Sequence, residues 1–289
     1  LVKNSGKTFI CGWPVAHSRS PLIHNFWLQI HGISGAYEKV AVEPGQMQSL
    51  TDRTRSGEYL GGNITIPHKE AVLQLLDHVS PSARKIGAVN TLWMEANKLC
   101  GDNTDWIGFL ANLDQIIPRW DKRETLKMPT MVIGAGGAAR AIIYALQQRG
   151  FENIRLANRT IDKAKKLATE FGSAIEAVSL EYAAKKFHDT QLLVNTSSLG
   201  MHGQPDFNSV FLEAMINLPK TAIVNDLVYT PLETSLLSKA RHVGLITADG
   251  LGMLLHQAVP GFEHWYGKRP IVNDALRALV LKDLGAKAQ

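Results

Sequence analysis

The chain reads as an α/β protein of two domains, and three observations carry that reading. Between Thr8 and Met94, apolar runs of strand length alternate with helical stretches in the β-α-β-α-β order of an α/β layer. Further on, a second strand run enters the turn Gly134-Ala135-Gly136-Gly137-Ala138, and an apolar helix face follows. A length of 289 residues is comfortable for two domains, and 45% hydrophobic residues are enough for two cores.

The elements follow in order. Thr8 to Gly12 reads as a buried strand running into the turn Trp13-Pro14. A helix is expected from Pro21 to Ile30, closed by His31-Gly32. Tyr37 to Val42 alternates like a strand, Pro44 to about Thr54 reads as a helix, and Gly61 to Ile66 as a strand. Pro67 sits where proline is tolerated in the first turn of a helix, which is expected to run to about His78. Ala88 to Met94 is the next strand. Trp106, Phe109, Leu110, Leu113, Ile116 and Ile117 recur at helical spacing, and that helix should end near Pro118. The polar, charged segment from Arg119 to Pro129 reads as the link between the domains. In the second domain, Ala138, Ile142, Ile143 and Leu146 form a helix face that Gly150 ends. Buried strands are expected at 130–133, 154–157, 192–195, 222–225 and 245–248, with helices after 250.

Composition narrows the function classes. No window approaches eighteen apolar residues, so no transmembrane helix is expected. The first seven residues do not read as a signal peptide. Cys11 and Cys100 are too few for a disulfide framework and read as packed thiols, so a cytoplasmic setting is predicted. The net charge is +5, but Lys and Arg are spread along the chain. The short cluster Lys163, Lys165, Lys166 reads as a solvated helix face, so neither nucleic acid nor membrane is expected as a partner. A small anionic substrate and a phosphate-bearing cofactor explain the positive excess equally well. His17, His24 and His31 recur every seven residues and His68 precedes Lys69, but no HExxH pattern or paired carboxylate accompanies them, and no metal site is predicted.

Gly134-x-Gly136-x-x-Ala139 fits the dinucleotide fingerprint and points to a nicotinamide or flavin cofactor. The first glycine makes the tight turn, the second lets backbone approach the pyrophosphate, and the small third residue permits close helix–strand packing. The helix N-terminus offers free N–H groups to the phosphates. An NAD site usually carries Asp or Glu at the end of the next strand; this chain has Asn158, Arg159 and Thr160, with Lys163 following. A guanidinium and an ammonium suit a 2′-phosphate, so the cofactor is predicted to be NADP. The competing reading is that Arg159 and Lys163 are merely exposed helix-start residues.

Lys69 and Asp105 stand on turns after apolar runs, in Gly62-Asn63-Ile-Thr65-Ile-Pro67-His-Lys69 and Gly101-Asp-Asn-Thr104-Asp105. Ketone reduction needs a proton for the developing alkoxide, and Lys69 can donate it. The positive end of a helix from Pro67 would favour release of that proton, and Asp105 would orient the ammonium. Otherwise Lys69 is a surface helix lysine and Asp105 a cap of the helix after it. Ser18 and Ser20, beside a helix start, form a neutral anion site, or Ser20 simply caps. Tyr229 and Gln257 suit a cleft between domains, but packing and capping are equally open to them.

At this point the chain resembles the NADP-dependent shikimate dehydrogenases. The resemblance rests on ordered motifs along nearly the whole length: Gly12-Trp-Pro-Val-Ala-His-Ser18-Arg-Ser20-Pro-Leu-Ile-His24-Asn, the lysine motif above, Gly87-Ala-Val-Asn90-Thr91, the motif ending at Asp105, Asn195-Thr-Ser197 with Gly200-Met201, Asp226-Leu-Val-Tyr229-x-Pro231, and Asp249-Gly250-x-x-Met253-x-x-x-Gln257-Ala258. Two departures stand out: Trp13 where the family often has Asn, and Ser197-Ser198-Leu199 in place of a commoner Pro-Leu.

The resemblance implies an N-terminal α/β substrate domain completed by C-terminal helices (1–107 and 250–289) and a Rossmann-type NADP domain (108–249). It implies reversible, NADPH-dependent reduction of 3-dehydroshikimate to shikimate, a step of aromatic amino-acid biosynthesis. Ser18 and Ser20 would bind the substrate carboxylate. Asn63, Thr65, Asn90, Asp105, Tyr229 and Gln257 would meet its hydroxyls, ring or carboxylate, and Lys69 would be the acid/base with Asp105. Gly134, Ala135, Gly136, Gly137, Ala138, Asn158, Arg159, Thr160, Lys163, Leu227 and Gly250 would line the cofactor. A monomer or homodimer is expected. Competing readings are a quinate/shikimate dehydrogenase with broader substrate or NAD use, and a catalytically silent NADP-binding sensor, which would need a broken Lys–Asp pair. A folate-linked dehydrogenase would leave the serine loop without a purpose.

Overall fold

A computed structural model describes residues 5–285 of the chain. The first seven residues, read above as no signal peptide, lie partly outside this range, as do the ends of the expected substrate domain. The elements run β1 (Gly6–Gly12), α1 (Ser20–Ile30), β2 (Gly35–Ala41), α2 (Met47–Arg55), β3 (Gly61–Ile64), β4 (His78–Val79), α3 (Pro81–Ile86), β5 (Thr91–Glu95), β6 (Lys98–Asp102), α4 (Asp105–Ile116) and α5 (Arg123–Lys127). They continue with β7 (Thr130–Ile133), α6 (Gly137–Gln148), β8 (Ile154–Asn158), α7 (Ile161–Phe171), β9 (Ile175–Ser179), α8 (Leu180–Ala183), β10 (Leu192–Asn195), α9 (Ser209–Ala214), β11 (Ile223–Asp226), α10 (Ser235–His242), β12 (Ile246–Ala248), α11 (Leu251–Tyr266) and α12 (Asp274–Asp283). No helix among the described residues is long and apolar enough to cross a membrane.

The chain divides into two compact units: residues up to Gly108 together with those from Leu255 onward, and Phe109–Leu254. The first holds a mixed six-stranded sheet in the order β2-β1-β3-β5-β6-β4. β1 pairs parallel with β2 and β3, while β3, β5 and β6 pair antiparallel. The β5–β6 hairpin turns on Ala96 (φ 48°) and Asn97 (φ 59°), the left-handed pair that matches the twist of tight hairpins. Its core is built by Phe9, Leu50, Ile64, Val72, Leu92 and their neighbours.

The second unit holds an all-parallel sheet in the order β12-β11-β10-β7-β8-β9. The strand order reverses between β7 and β10, and in such sheets ligands bind outside the carboxyl ends of the strands at that point. Near-continuous apolar strands such as Leu192-Leu193-Val194 fit a sheet covered on both faces, and all three are buried.

Two expectations from the sequence do not hold. The segment from Arg119 to Pro129 is not a free link. Trp120 in it is buried, stacks on Phe151 at 5.6 Å and donates its indole N–H to Asp114. The polar composition hid one large aromatic anchor that fixes the segment within the second unit. The expected helix from Pro67 to His78 does not form either: residues 66–70 are a turn, followed by only five residues of 3₁₀ helix, Ala71–Leu75. The cause lies in partners far along the chain. The Lys69 carbonyl, which a helix would pair locally, accepts from the Val89 N–H at 2.8 Å, and the His68 Nε2 lies 2.7 Å from the Val42 carbonyl.

Candidate active site

In the first unit, Lys69 and Asp105 come together although 36 residues separate them. The Lys69 ammonium donates to Asp105 Oδ2 at 2.6 Å, with both side chains largely shielded from solvent. The other oxygen, Oδ1, accepts from Asn90 Nδ2 at 2.8 Å. Both carboxylate oxygens are thus engaged across the site and do not cap α4, whose first residue Asp105 is. No helix N-terminus underlies Lys69, so its electrostatic setting is the Asp105 carboxylate.

Asn90 is oriented by its neighbours. Its Oδ1 accepts from the Thr104 backbone N–H (2.7 Å) and the Thr91 hydroxyl (2.9 Å), so its amide hydrogens must point to Asp105 and towards Gln257 Oε1 (3.4 Å). Gln257, on α11, is held in turn by its carbonyl, which accepts from the Thr104 hydroxyl at 2.8 Å. Thr91 and Thr104 were missed as positioning residues by the sequence reading, although both stand inside the motifs that carry Asn90 and Asp105.

Asn63 is a different case. Its Nδ2 donates to the Asn90 carbonyl (3.1 Å) and Thr91 Oγ1 (3.0 Å), and its Oδ1 accepts from the Tyr37 hydroxyl (2.6 Å). Both amide hydrogens are used inward, on the loop that carries Asn90. The carbonyl oxygen Oδ1 keeps a second lone pair beside the one that the Tyr37 hydroxyl fills. Thr65, two residues on, is half-buried, and its backbone N–H donates to the Cys11 carbonyl.

The serine loop lies before α1. Ser18 Oγ accepts from the Ser20 N–H at 3.2 Å, and no side chain caps the helix, so Ser20 is not a cap. Ser20 is buried, as the first residue of α1. The loop is clamped by two cations: Lys39 donates to the Ala16 carbonyl and Arg19 to the His17 carbonyl, both at 2.5 Å. Arg19 is itself paired with Asp283 at 2.7 Å, so Lys39 is the clamp cation without an ion pair among the described residues, and hydroxyls beside it suit a carboxylate. His24, one turn into α1, stacks on Tyr37 at 4.1 Å, and complete burial pushes it down to about 3, so it is a neutral packing ring. Among the described residues no group of three His, Cys, Asp or Glu could hold a metal ion.

In the second unit, the glycine turn joins β7 to α6. Gly134 has φ +101°, and a Cβ there would lie 2.9 Å from Thr196 Oγ1 and 3.0 Å from the Ser197 nitrogen, so only glycine fits. Gly136 and Gly137 are unlike it: a Cβ on either would meet nothing within 4 Å. Both lie at the start of α6, where Ala135 precedes them and Ala138 follows, and a helix start with unpaired N–H groups suits a phosphate. Ala139 is fully buried, as the third small position of the fingerprint requires.

At the end of β8, Asn158 donates to the Thr160 carbonyl at 2.8 Å. Arg159 and Lys163 are exposed, and among the described residues neither forms an ion pair. One cation before α7 and one in its first turn, neither with an ion pair among the described residues, suit a phosphate. On the other side of the sheet, a Cβ on Gly250 would fall 2.2 Å from the Leu227 carbonyl oxygen. Gly250 is therefore what allows these two candidate cofactor residues to meet. Tyr229 is half-buried two residues beyond Leu227, in this second unit.

Comparison with known proteins agrees with this chemistry. A family model described as the shikimate dehydrogenase substrate binding domain matches residues 10–92, and one described as shikimate / quinate 5-dehydrogenase matches residues 121–201. A shikimate dehydrogenase (NADP(+)) of a Chelativorans species is 50% identical over 99% of both chains. That of Brucella abortus is 48% identical over 98% of this chain and 96% of its own. Among solved structures, the shikimate 5-dehydrogenase of Thermus thermophilus in complex with NADP(H) and shikimate superposes with a TM-score of 0.82 at 38% identity, covering 95% of this chain and 98% of that one. A quinate dehydrogenase of Corynebacterium glutamicum in complex with NAD gives 0.85 at 31% identity, covering 96% and 99%. With full-length relatives at about half identity, and with the lysine–aspartate pair and the glycine turn both built as the chemistry requires, the chain belongs to the shikimate dehydrogenase family.

Proposed function

We propose that this chain is an NADP-dependent shikimate dehydrogenase in which Lys69 is the acid/base and Asp105 its partner. The observation that carries the assignment is the 2.6 Å Lys69–Asp105 hydrogen bond, oriented through Asn90. NADPH supplies the hydride when bound. The protein supplies the proton and the alignment. As the carbonyl of 3-dehydroshikimate becomes an alkoxide, Lys69 Nζ donates a proton to that oxygen. In the reverse direction the neutral amine accepts the hydroxyl proton of shikimate. Asp105 holds the ammonium in position and offsets its charge while the substrate oxygen is neutral. Ser18 and Ser20 donate to the substrate carboxylate, with Lys39 adding positive potential at the same loop. Asn63, Thr65, Asn90 and Gln257 meet the ring hydroxyls, and Tyr229 is a further candidate substrate contact.

The first unit is read as the substrate domain and the second as the cofactor domain. The open glycine turn takes the pyrophosphate, with Leu227 and Gly250 beside the nicotinamide end. Asn158, Arg159, Thr160 and Lys163 take the adenosine end. The unpaired cations and the missing acidic residue at the end of β8 support NADP over NAD. The enzyme is inferred to work in the cytoplasm as a monomer or homodimer. The reading is tested by following reduced-cofactor absorbance with purified protein and four pairs: shikimate or quinate, with NADP or NAD. Turnover fastest with shikimate and NADP is expected. No turnover with any pair overturns the enzyme assignment, and preference for quinate or NAD overturns the finer one.

A further inference from the structure

Asp226 is a buried carboxylate that the mechanism above does not use. It ends β11, opposite Asn195 at the end of β10, and both are fully buried. Its Oδ1 accepts from Asn195 Nδ2 (2.8 Å) and the Val228 N–H (3.0 Å), and its Oδ2 accepts from the Thr234 hydroxyl (2.7 Å). Such a group is costly to bury unless its position is needed, because desolvation opposes the charge.

The bonds made by its partners show what it holds. Asn195 Oδ1 accepts from the Ser197 N–H (3.0 Å) and hydroxyl (2.7 Å), and Asn195 Nδ2 also donates to the Leu199 carbonyl (3.1 Å). Ser197 and Thr196 form the wall against which Gly134 turns, and the Thr196 hydroxyl donates to the Ile133 carbonyl at the end of β7. On the other side, the Leu227 N–H donates to the Asn195 carbonyl, and the Leu227 carbonyl is where Gly250 packs. One carboxylate therefore ties together the loops after β10 and β11, which flank the glycine turn at the switch point of the sheet.

We propose that Asp226 is a positioning residue for the cofactor: it acts through Asn195 and Val228 to hold the wall of the glycine turn and the Leu227 backbone where NADP meets them. This rests on the cofactor reading of the second unit given above. The charged group that faces Asp226 is Asp206, whose carboxylate accepts from Ser235; its remaining partners, on β10, on the segment beyond β11 and before α10, are uncharged. Burial pushes the Asp226 carboxyl up to about 6, so at pH 8 it is ionised and accepts from all three donors.

The test is equilibrium binding of NADP+ alone and of shikimate alone to the purified chain at pH 8, by calorimetry. Asp226→Ala is expected to raise the NADP+ Kd at least tenfold and leave the shikimate Kd within twofold. Asp226→Asn keeps an acceptor for Asn195 and Val228 and is expected to recover most of the NADP+ affinity. Should Asp226→Ala not fold, Asn195→Ala and Thr234→Val are read in the same way and are each expected to weaken NADP+ several-fold. Arg159→Ala is measured in parallel. If Arg159→Ala weakens NADP+ binding and the folded Asp226, Asn195 and Thr234 variants do not, the proposal is overturned and the cofactor reading stands. If Arg159→Ala and the network variants all bind NADP+ as the wild type does, the cofactor reading itself falls. Equal losses of NADP+ and shikimate binding would mean a purely structural role and also overturn the proposal.

Discussion

Lys69 donates to one oxygen of Asp105 while Asn90 donates to the other, so the aspartate is held from two sides and the ammonium has one defined direction. In the mechanism proposed above the two residues have separate roles: Lys69 moves the proton, and Asp105 aims it. Lys69→Ala should lower kcat by about 10²- to 10⁴-fold, with a much smaller change in KM for shikimate, because proton transfer matters mainly in the transition state. Steady-state kinetics on the folded variant check this, and near-normal kcat would remove Lys69 from the chemistry.

The serine loop should act on binding rather than rate. Ser18→Ala and Ser20→Ala each remove a hydrogen bond to a charged carboxylate, a loss of about 1.5–3 kcal/mol. KM for shikimate should rise by roughly ten- to a hundredfold while kcat changes little. Ser20 is buried whereas Ser18 is half-buried, so Ser20→Ala should cost some thermal stability that Ser18→Ala does not. Unaltered substrate binding in both variants would mean that the anion site lies elsewhere.

Arg159 and Lys163 should decide between cofactors, since on the proposed reading the glycine turn takes the pyrophosphate that NADP and NAD share. Arg159→Ala should raise KM for NADP by about ten- to a hundredfold and leave KM for NAD nearly unchanged. Adding Lys163→Ala should extend the effect, without strict additivity between such close sites. Equal losses with both cofactors would assign Arg159 to the fold instead.

Gly250 tests packing rather than charge. An alanine methyl there would stand 2.2 Å from the Leu227 carbonyl oxygen and 2.9 Å from that of Asp226, both backbone atoms that cannot rotate away. Gly250→Ala should lower the melting temperature by several degrees and weaken NADP binding, whereas Gly137→Ala, facing open space, should leave stability nearly unchanged. Equal stability of the two variants would contradict the close contact.

Asp226 also makes a prediction about pH. Its carboxyl lies at about 6 in the folded chain against an ordinary value of 3.8, so the folded state binds its proton more tightly than the unfolded state does. The stability it contributes is fully present below 3.8 and is lost as pH rises through about 6. Compared with Asp226→Asn, which cannot titrate, the wild type should lose about 2 kcal/mol between pH 4.5 and 7.5. Denaturant unfolding of both proteins at the two pH values measures it; a constant difference would mean that the carboxyl titrates alike in both states.

Most strands and the glycine turn were legible because they report on covalent neighbours. Apolar runs such as Leu192-Leu193-Val194 mark a buried strand wherever they occur, and Gly134 makes its turn from its own backbone freedom. Helix α1 and its closing Gly32 were likewise readable. The strands β4, β6 and β9 lacked a clear signal of this kind and were not.

The sequence by itself determined which chemistry was present: a lysine and an aspartate in two motifs, two serines before a helix, and cations where an NAD site carries an acid. Only the tertiary structure decided how these act. It joined Lys69 to Asp105 across 36 residues, turned the Asn63 amide inward beneath Asn90, replaced the expected helix at Pro67 by a turn bonded to Val89, and set Asp226 opposite Asn195. The physical reason is common to all four. Periodicity and turn chemistry are local, whereas a buried hydrogen bond is chosen by whichever partner the folded sheets bring within about 3 Å, and that partner is invisible until the chain has folded.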